Sequence, residues 1–174
     1  MHTGYVTSAP SEKTMAEGIN AAARLAKNTT YGRILIENNV VGGTFALMDK
    51  GKHYICYTPE HMKEVIELSG AGFCLDIEHT AITAHQLGTD FWKLLWQFMK
   101  LKPEYFHLSG TRLKKLHASY AEGHHLSIFN TDFDIDAIRL LLQKAGKPVC
   151  LETPLDTGQR RKEYEFLKKN KTFK

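Results

Sequence analysis

The sequence predicts an α/β domain with a parallel sheet, and three observations lead there. Short apolar runs at Arg33–Glu37, Gly72–Asp76, Tyr105–Leu108 and Pro148–Glu152 read as buried strands. Helical patterns stand between them, so strand then helix repeats about five times, which calls for right-handed crossovers in a parallel sheet. A carboxylate or a histidine closes each of the four runs. Tandem βα units with reactive groups at successive strand ends point to part of a (β/α)8 barrel (a TIM barrel), whose sites sit at that face. No Gly-x-Gly-x-x-Gly and no phosphate loop is present.

Taken in order, His2-Thr-Gly-Tyr-Val6 reads as a strand end followed by a loop. Ser11 to Lys27 reads as a helix, with Ser11 as N-cap and Met15, Ile19, Ala22, Ala23 and Ala26 on one face. The strand Arg33–Glu37 follows, then a loop at Gly42-Gly43 and an extended segment over His53–Tyr57. Thr58-Pro59-Glu60 starts a helix that runs to about Leu68 and stops before Gly70. After strand Gly72–Asp76 come two helical pieces, about 80–87 and 90–101. The second has an apolar face of Phe91, Leu94, Leu95, Phe98 and Met99. Strand Tyr105–Leu108 leads into a long loop, Ser109–Thr131, rich in His and Lys; loops of that length are usually functional or mobile. Asp134–Lys144 is a helix with Ile135, Ile138, Leu141 and Leu142 inward, closed by Gly146. Strand Pro148–Glu152 and a helix over Arg160–Asn170 complete the chain.

The 174 residues, 43% hydrophobic and 24% charged, fit one soluble domain with a proper core. No apolar run approaches the ~20 residues of a membrane helix, and the N-terminal residues lack the pattern of a secretory signal. Cys56, Cys74 and Cys150 are widely spaced and contain no CxxC. Cys74 and Cys150 sit in apolar runs, so they read as small core residues in a reducing, cytoplasmic compartment, without disulfides. The net charge of +4 is mild. Basic residues gather at Arg160, Arg161, Lys162, Lys168, Lys169, Lys171 and Lys174, which reads as a solvated terminal helix and tail rather than a nucleic-acid patch.

Glu37, Asp76, His107 and Glu152 each close a separate strand. If those strands are neighbours, the four side chains converge. Three carboxylates packed together repel one another, and a divalent cation removes that conflict. Three oxygen donors and one imidazole suit manganese, magnesium or zinc. Asp76 has a second reading, as the N-cap of the following helix. His79, three residues on, can point into the same pocket.

These segments carry a resemblance. His2-Thr-Gly, Ile34-Leu-Ile-Glu37-Asn, Gly72-Phe-Cys-Leu-Asp76-Ile-Glu-His79, Phe106-His107-Leu-Ser and Cys150-Leu-Glu152-Thr-Pro resemble the xylose isomerase-like barrels, and within them the endonuclease IV type (family 2) of abasic-site nuclease. The resemblance covers nearly the whole chain as a single domain. Its Asp-x-x-His and Leu-Glu-Thr-Pro segments are more specific for the superfamily than for the nuclease.

The resemblance implies that Glu37, Asp76, His107 and Glu152 ligate one metal, zinc or manganese, that Glu37 bridges to a second metal bound by His2, and that His79 with a later histidine holds a third. It implies roles in the reaction for Glu37, Glu152 and His79. In the isomerase and epimerase branches the His79 position contacts substrate instead. A full barrel of this type needs about 250 residues, so the match begins at the fourth strand and implies a truncated barrel without its first three βα units. The third metal's Asp-x-His is absent: aligning His117 puts Lys115 at the aspartate, and aligning His125 puts Gly123 there. The His125 register is preferred because Phe133–Ala137 then aligns with the next helix; His117, His124 and His125 also read as solvated loop histidines. The implied function is metal-dependent phosphodiester hydrolysis on abasic-site DNA. The alternatives are a sugar isomerase or epimerase acting on a small sugar, and a truncated relative without catalysis. An incomplete barrel also leads to an expectation of self-association or of a missing N-terminal segment.

Overall fold

The structure, a computed structural model, describes residues 5–6, 12–29, 32–41, 53–116, 123–153 and 156–169. Four strands form a parallel sheet: β2 (Leu35–Glu37), β4 (Gly72–Asp76), β5 (Tyr105–Leu108) and β6 (Val149–Leu151), in that order. Neighbours in the sheet are neighbours in the chain order of the parallel strands, as in an arc of a barrel; closure into a barrel is not seen among the described residues. The expected fifth parallel unit is corrected. Of the first run, the described part is β1 (Tyr5–Val6), which pairs antiparallel with β3 (His53–Tyr54). Two distant two-residue runs find each other's backbone there, which no periodicity announces. His2, Ser11, Gly42-Gly43 and His117 lie outside the described residues.

Among the described residues six α-helices accompany the sheet: α1 (Glu12–Asn28), α2 (Pro59–Ser69), α3 (Ile77–Leu87), α4 (Phe91–Met99), α5 (Ile135–Ala145) and α6 (Thr157–Lys168). Their starts follow local chemistry. Thr58 caps α2 ahead of Pro59, and Asp76, Asp90, Asp134 and Asp156 each accept a backbone N–H from the first turn of α3, α4, α5 and α6. Two expected boundaries move. The helix after β4 begins at Ile77 rather than near 80, because Asp76 itself is the cap, and the last helix begins at Thr157 rather than Arg160, because Asp156 is.

The register decides which side chains share a face. Ile36 pairs with Phe73, Leu75 with Phe106, and Leu108 with Leu151. With side chains alternating along each strand, this set faces the helices. It packs in one core with Met15 and Ile19 of α1, Met62 and Val65 of α2, Leu95 and Phe98 of α4, and Ile138 and Leu142 of α5. The opposite face carries Glu37, Cys74, Asp76, Tyr105, His107 and Cys150. None of the three cysteines is in a disulfide, and Cys74 and Cys150 lie on this polar face instead of in the helix-side core. An open pocket of about 430 Å³ lies against it, lined by Leu35, Glu37, Cys74, Tyr105 and His107 among others.

The described residues of the segment after β5 are joined by backbone hydrogen bonds. Gly110 and Leu126 exchange two backbone hydrogen bonds, at 2.8 and 2.9 Å, and the Arg112 N–H donates to Gly123 at 3.1 Å. A Cβ on Gly110 would run into the Ser127 carbonyl, so this crossing requires glycine. Glu163 of α6 is fully buried and holds the assembly from behind: it accepts from Ser127 Oγ (2.6 Å), the Ile128 N–H (3.0 Å) and Thr153 Oγ1 (3.1 Å). The basic residues Arg160, Arg161, Lys162, Lys168 and Lys169 are exposed, as expected of a solvated helix. No helix among the described residues is long and apolar enough to cross a membrane.

Candidate metal centre

Asp76 and His107 are direct partners in the β4–β5 register; Glu37 sits opposite Cys74, two residues before Asp76, and Glu152 follows β6 two residues after Cys150, the partner of His107. Steps of two keep side chains on one face. The four expected residues therefore meet: ligand atoms from Glu37, Asp76, His107 and Glu152 all lie within 4.8 Å of one another. His107 Nδ1 is 3.1 Å from Glu37 Oε1 and 3.1 Å from Glu152 Oε1. Asp76 is fully buried, and its Oδ2 has no hydrogen-bond partner.

Asn38 fixes the two strand ends that carry the carboxylates. Its Oδ1 accepts the Asp76 N–H at 2.7 Å, and its Nδ2 donates to the Asp76 carbonyl at 3.0 Å and to Thr80 Oγ1 at 3.2 Å. The Asn38 carbonyl also meets His79 Nδ1 at 2.8 Å. That nitrogen stands 3.6 Å from Glu37 Oε1 and 3.7 Å from Asp76 Oδ2, so His79 borders the four-residue group without belonging to it. Its ring stacks on His124, with centroids 5.9 Å apart.

The electrostatics are those of a crowded anionic site. Burial, then the neighbouring acidic charges, raises Asp76 and Glu152 above the usual carboxylate range. Burial works against the His107 cation, but hydrogen bonding with Cys74 and Glu37 pushes it up to about 11. Burial likewise opposes a charged His79, and Asp76 and Glu37 outweigh it. The metal-free cluster thus recruits protons to offset its carboxylates. A divalent ion meets the same demand and gives the orphaned Asp76 oxygen a partner. Three carboxylates and one imidazole are a fitting donor set for manganese, zinc or magnesium.

The His125 position lies in a neighbouring group that the sequence did not single out. Glu78 Oε1 is 2.6 Å from His124 Nδ1 and accepts the His125 N–H at 2.9 Å; Glu78 Oε2 accepts from Ser109 Oγ and is 3.4 Å from His125 Nδ1. His79 and His125, expected to share one metal, are thus placed differently: His79 leans toward Glu37 and Asp76, and His125 toward Glu78. Residues Ile77–Ala84 are all buried in the fold, so a carboxylate among them needs a built-in partner. Asn38, Ser109 and Glu163 were also missed as supports; their partners lie far away in the chain.

Compared with models of known protein families and with curated proteins, the chain matches none.

Proposed function

We propose that this chain is a divalent-metal enzyme that hydrolyses a phosphodiester, with abasic-site DNA as the substrate class the sequence resemblance implies. One observation carries the metal: Glu37, Asp76, His107 and Glu152 bring ligand atoms within 4.8 Å of one another on a single sheet face. When bound, the ion supplies Lewis-acid stabilisation of phosphoryl oxygens. Glu37, Asp76, His107 and Glu152 would hold it. Glu152, half-buried beside His107, would also orient the attacking water. His79, beside Glu37 and backed by the Asn38 carbonyl, would meet an anionic oxygen of the substrate. Incubation of the purified chain with an abasic duplex and zinc or manganese tests this. Nicking at the abasic site, lost in Asp76→Asn, is the expected result; an intact duplex counts against it.

A second reading, a sugar isomerase or epimerase, draws on the open pocket of about 430 Å³ beside His107, a size that suits a small polyol. In this reading Glu37 and Glu152, each 3.1 Å from His107 Nδ1, would exchange a proton on opposite faces of a substrate carbon. A ketose that raises the melting temperature of the metal-loaded protein, with no nicking of DNA, favours this reading. A metal-loaded protein that acts on neither substrate favours the non-catalytic relative.

A further inference from the structure

We propose a second divalent-cation site at Glu78, His124 and His125, joined to the first by Glu152 acting as a bridging carboxylate. The proposal deepens the metal-centre reading and has its own ligands. Donor atoms of Glu78, His124 and His125 lie within 4.8 Å of one another. They come from two places: the buried first turn of α3, and the residues next to the paired backbone hydrogen bonds of Gly110 and Leu126. His125 holds a left-handed backbone conformation, with φ of 50°, which a non-glycine residue rarely adopts unless its surroundings dictate it.

Glu152 connects the two groups. Its Oε1 is 3.1 Å from His107 Nδ1 in the first, and its Oε2 is 4.0 Å from His125 Nδ1 in the second. A carboxylate with one oxygen turned to each of two ligand sets is the usual link in a two-metal centre, where paired ions steady the entering and leaving oxygens of a displacement. The second set has one or two carboxylate oxygens and two imidazoles. That favours a borderline ion such as zinc, cobalt or manganese over magnesium.

Metal content of the full chain, loaded with zinc and dialysed, together with the Mn(II) electron paramagnetic resonance spectrum, tests the proposal. Two equivalents in the wild type and an exchange-coupled spectrum are expected. Glu78→Gln and His125→Ala should each drop to one equivalent with an isolated-ion spectrum. His125 is partly exposed, so its variant keeps the test open if the buried Glu78 change prevents folding. A wild type with one equivalent, lost in Asp76→Asn but kept in both other variants, overturns the second site and leaves the first standing. No metal in the wild type defeats both. Two equivalents with isolated-ion spectra overturn the bridge.

Discussion

Asp76 and His79 share one carboxylate between two tasks. Asp76 Oδ1 accepts the His79 N–H at 2.8 Å and so starts α3, while Oδ2 stays buried with no hydrogen-bond partner. The cap reading and the ligand reading of Asp76 therefore describe two oxygens of one side chain. They separate by mutation. Asp76→Asn keeps a competent cap and should cost little cap stability, whereas Asp76→Ala should lose about 1 kcal/mol more from the cap alone. Both should lose metal. Thermal unfolding of the chelator-treated proteins measures the first difference; equal melting temperatures for the two variants contradict the cap.

Asn38 works by joining β2 to β4. Asn38→Ala leaves the buried Asp76 N–H without its 2.7 Å acceptor, and an orphaned buried donor costs about 1–3 kcal/mol. Metal affinity should fall with it, because Glu37 and Asp76 no longer share a fixed spacing. Denaturant unfolding and metal titration of the variant check both; unchanged affinity would show that the strand ends hold their positions without Asn38.

Stability and metal binding should respond to pH in opposite senses. With metal removed, His107 titrates at about 11 in the folded chain. Its contribution is complete below the unfolded imidazole value of ~6.5 and is lost as pH rises through the folded value. Asp76 and Glu152, raised chiefly by burial, shift the same way: ionising them above the ordinary carboxylate range disfavours the folded state. The metal-free chain should therefore lose stability as pH rises from about 6 toward 9. Metal requires deprotonated ligands, so its stabilisation grows over that range. The gap in melting temperature between zinc-loaded and chelated protein should widen with pH. A constant gap would falsify the assignment of these residues as ligands.

Glu163 ties α6 to the loop that presents His124 and His125 and to Thr153 beside Glu152. Glu163→Ala should cost about 1–3 kcal/mol by stranding the buried Ile128 N–H. Proteolysis should then concentrate in the loop, and Glu163→Gln should recover part of the loss. Hydrogen exchange at Ile128 as slow in the alanine variant as in the wild type would refute the tie.

The strands and the four site residues were legible because apolar runs that end in a carboxylate or histidine stand out from their surroundings. Helix positions were legible to within a few residues: the cap reading of Asp76 holds although the helix start was set near 80, and Asp156, the cap before Thr157, was passed over. What stayed hidden depends on register and distance. Nothing local shows that Cys74 faces the site while Phe73 faces the helices; only the pairing with Tyr105 does. Nothing near Asn38 announces a partner 38 residues on. In the sequence Glu78 is an ordinary first-turn acid; only the fold buries Ile77–Ala84 and gives it two histidine partners.

The most direct measurement is metal content per chain for wild type and Asp76→Asn, purified side by side without chelator. The account predicts that the variant stays folded and carries one equivalent of zinc or manganese fewer than the wild type. Equal metal content in two folded proteins, or none in either, would contradict a metal centre built on Glu37, Asp76, His107 and Glu152.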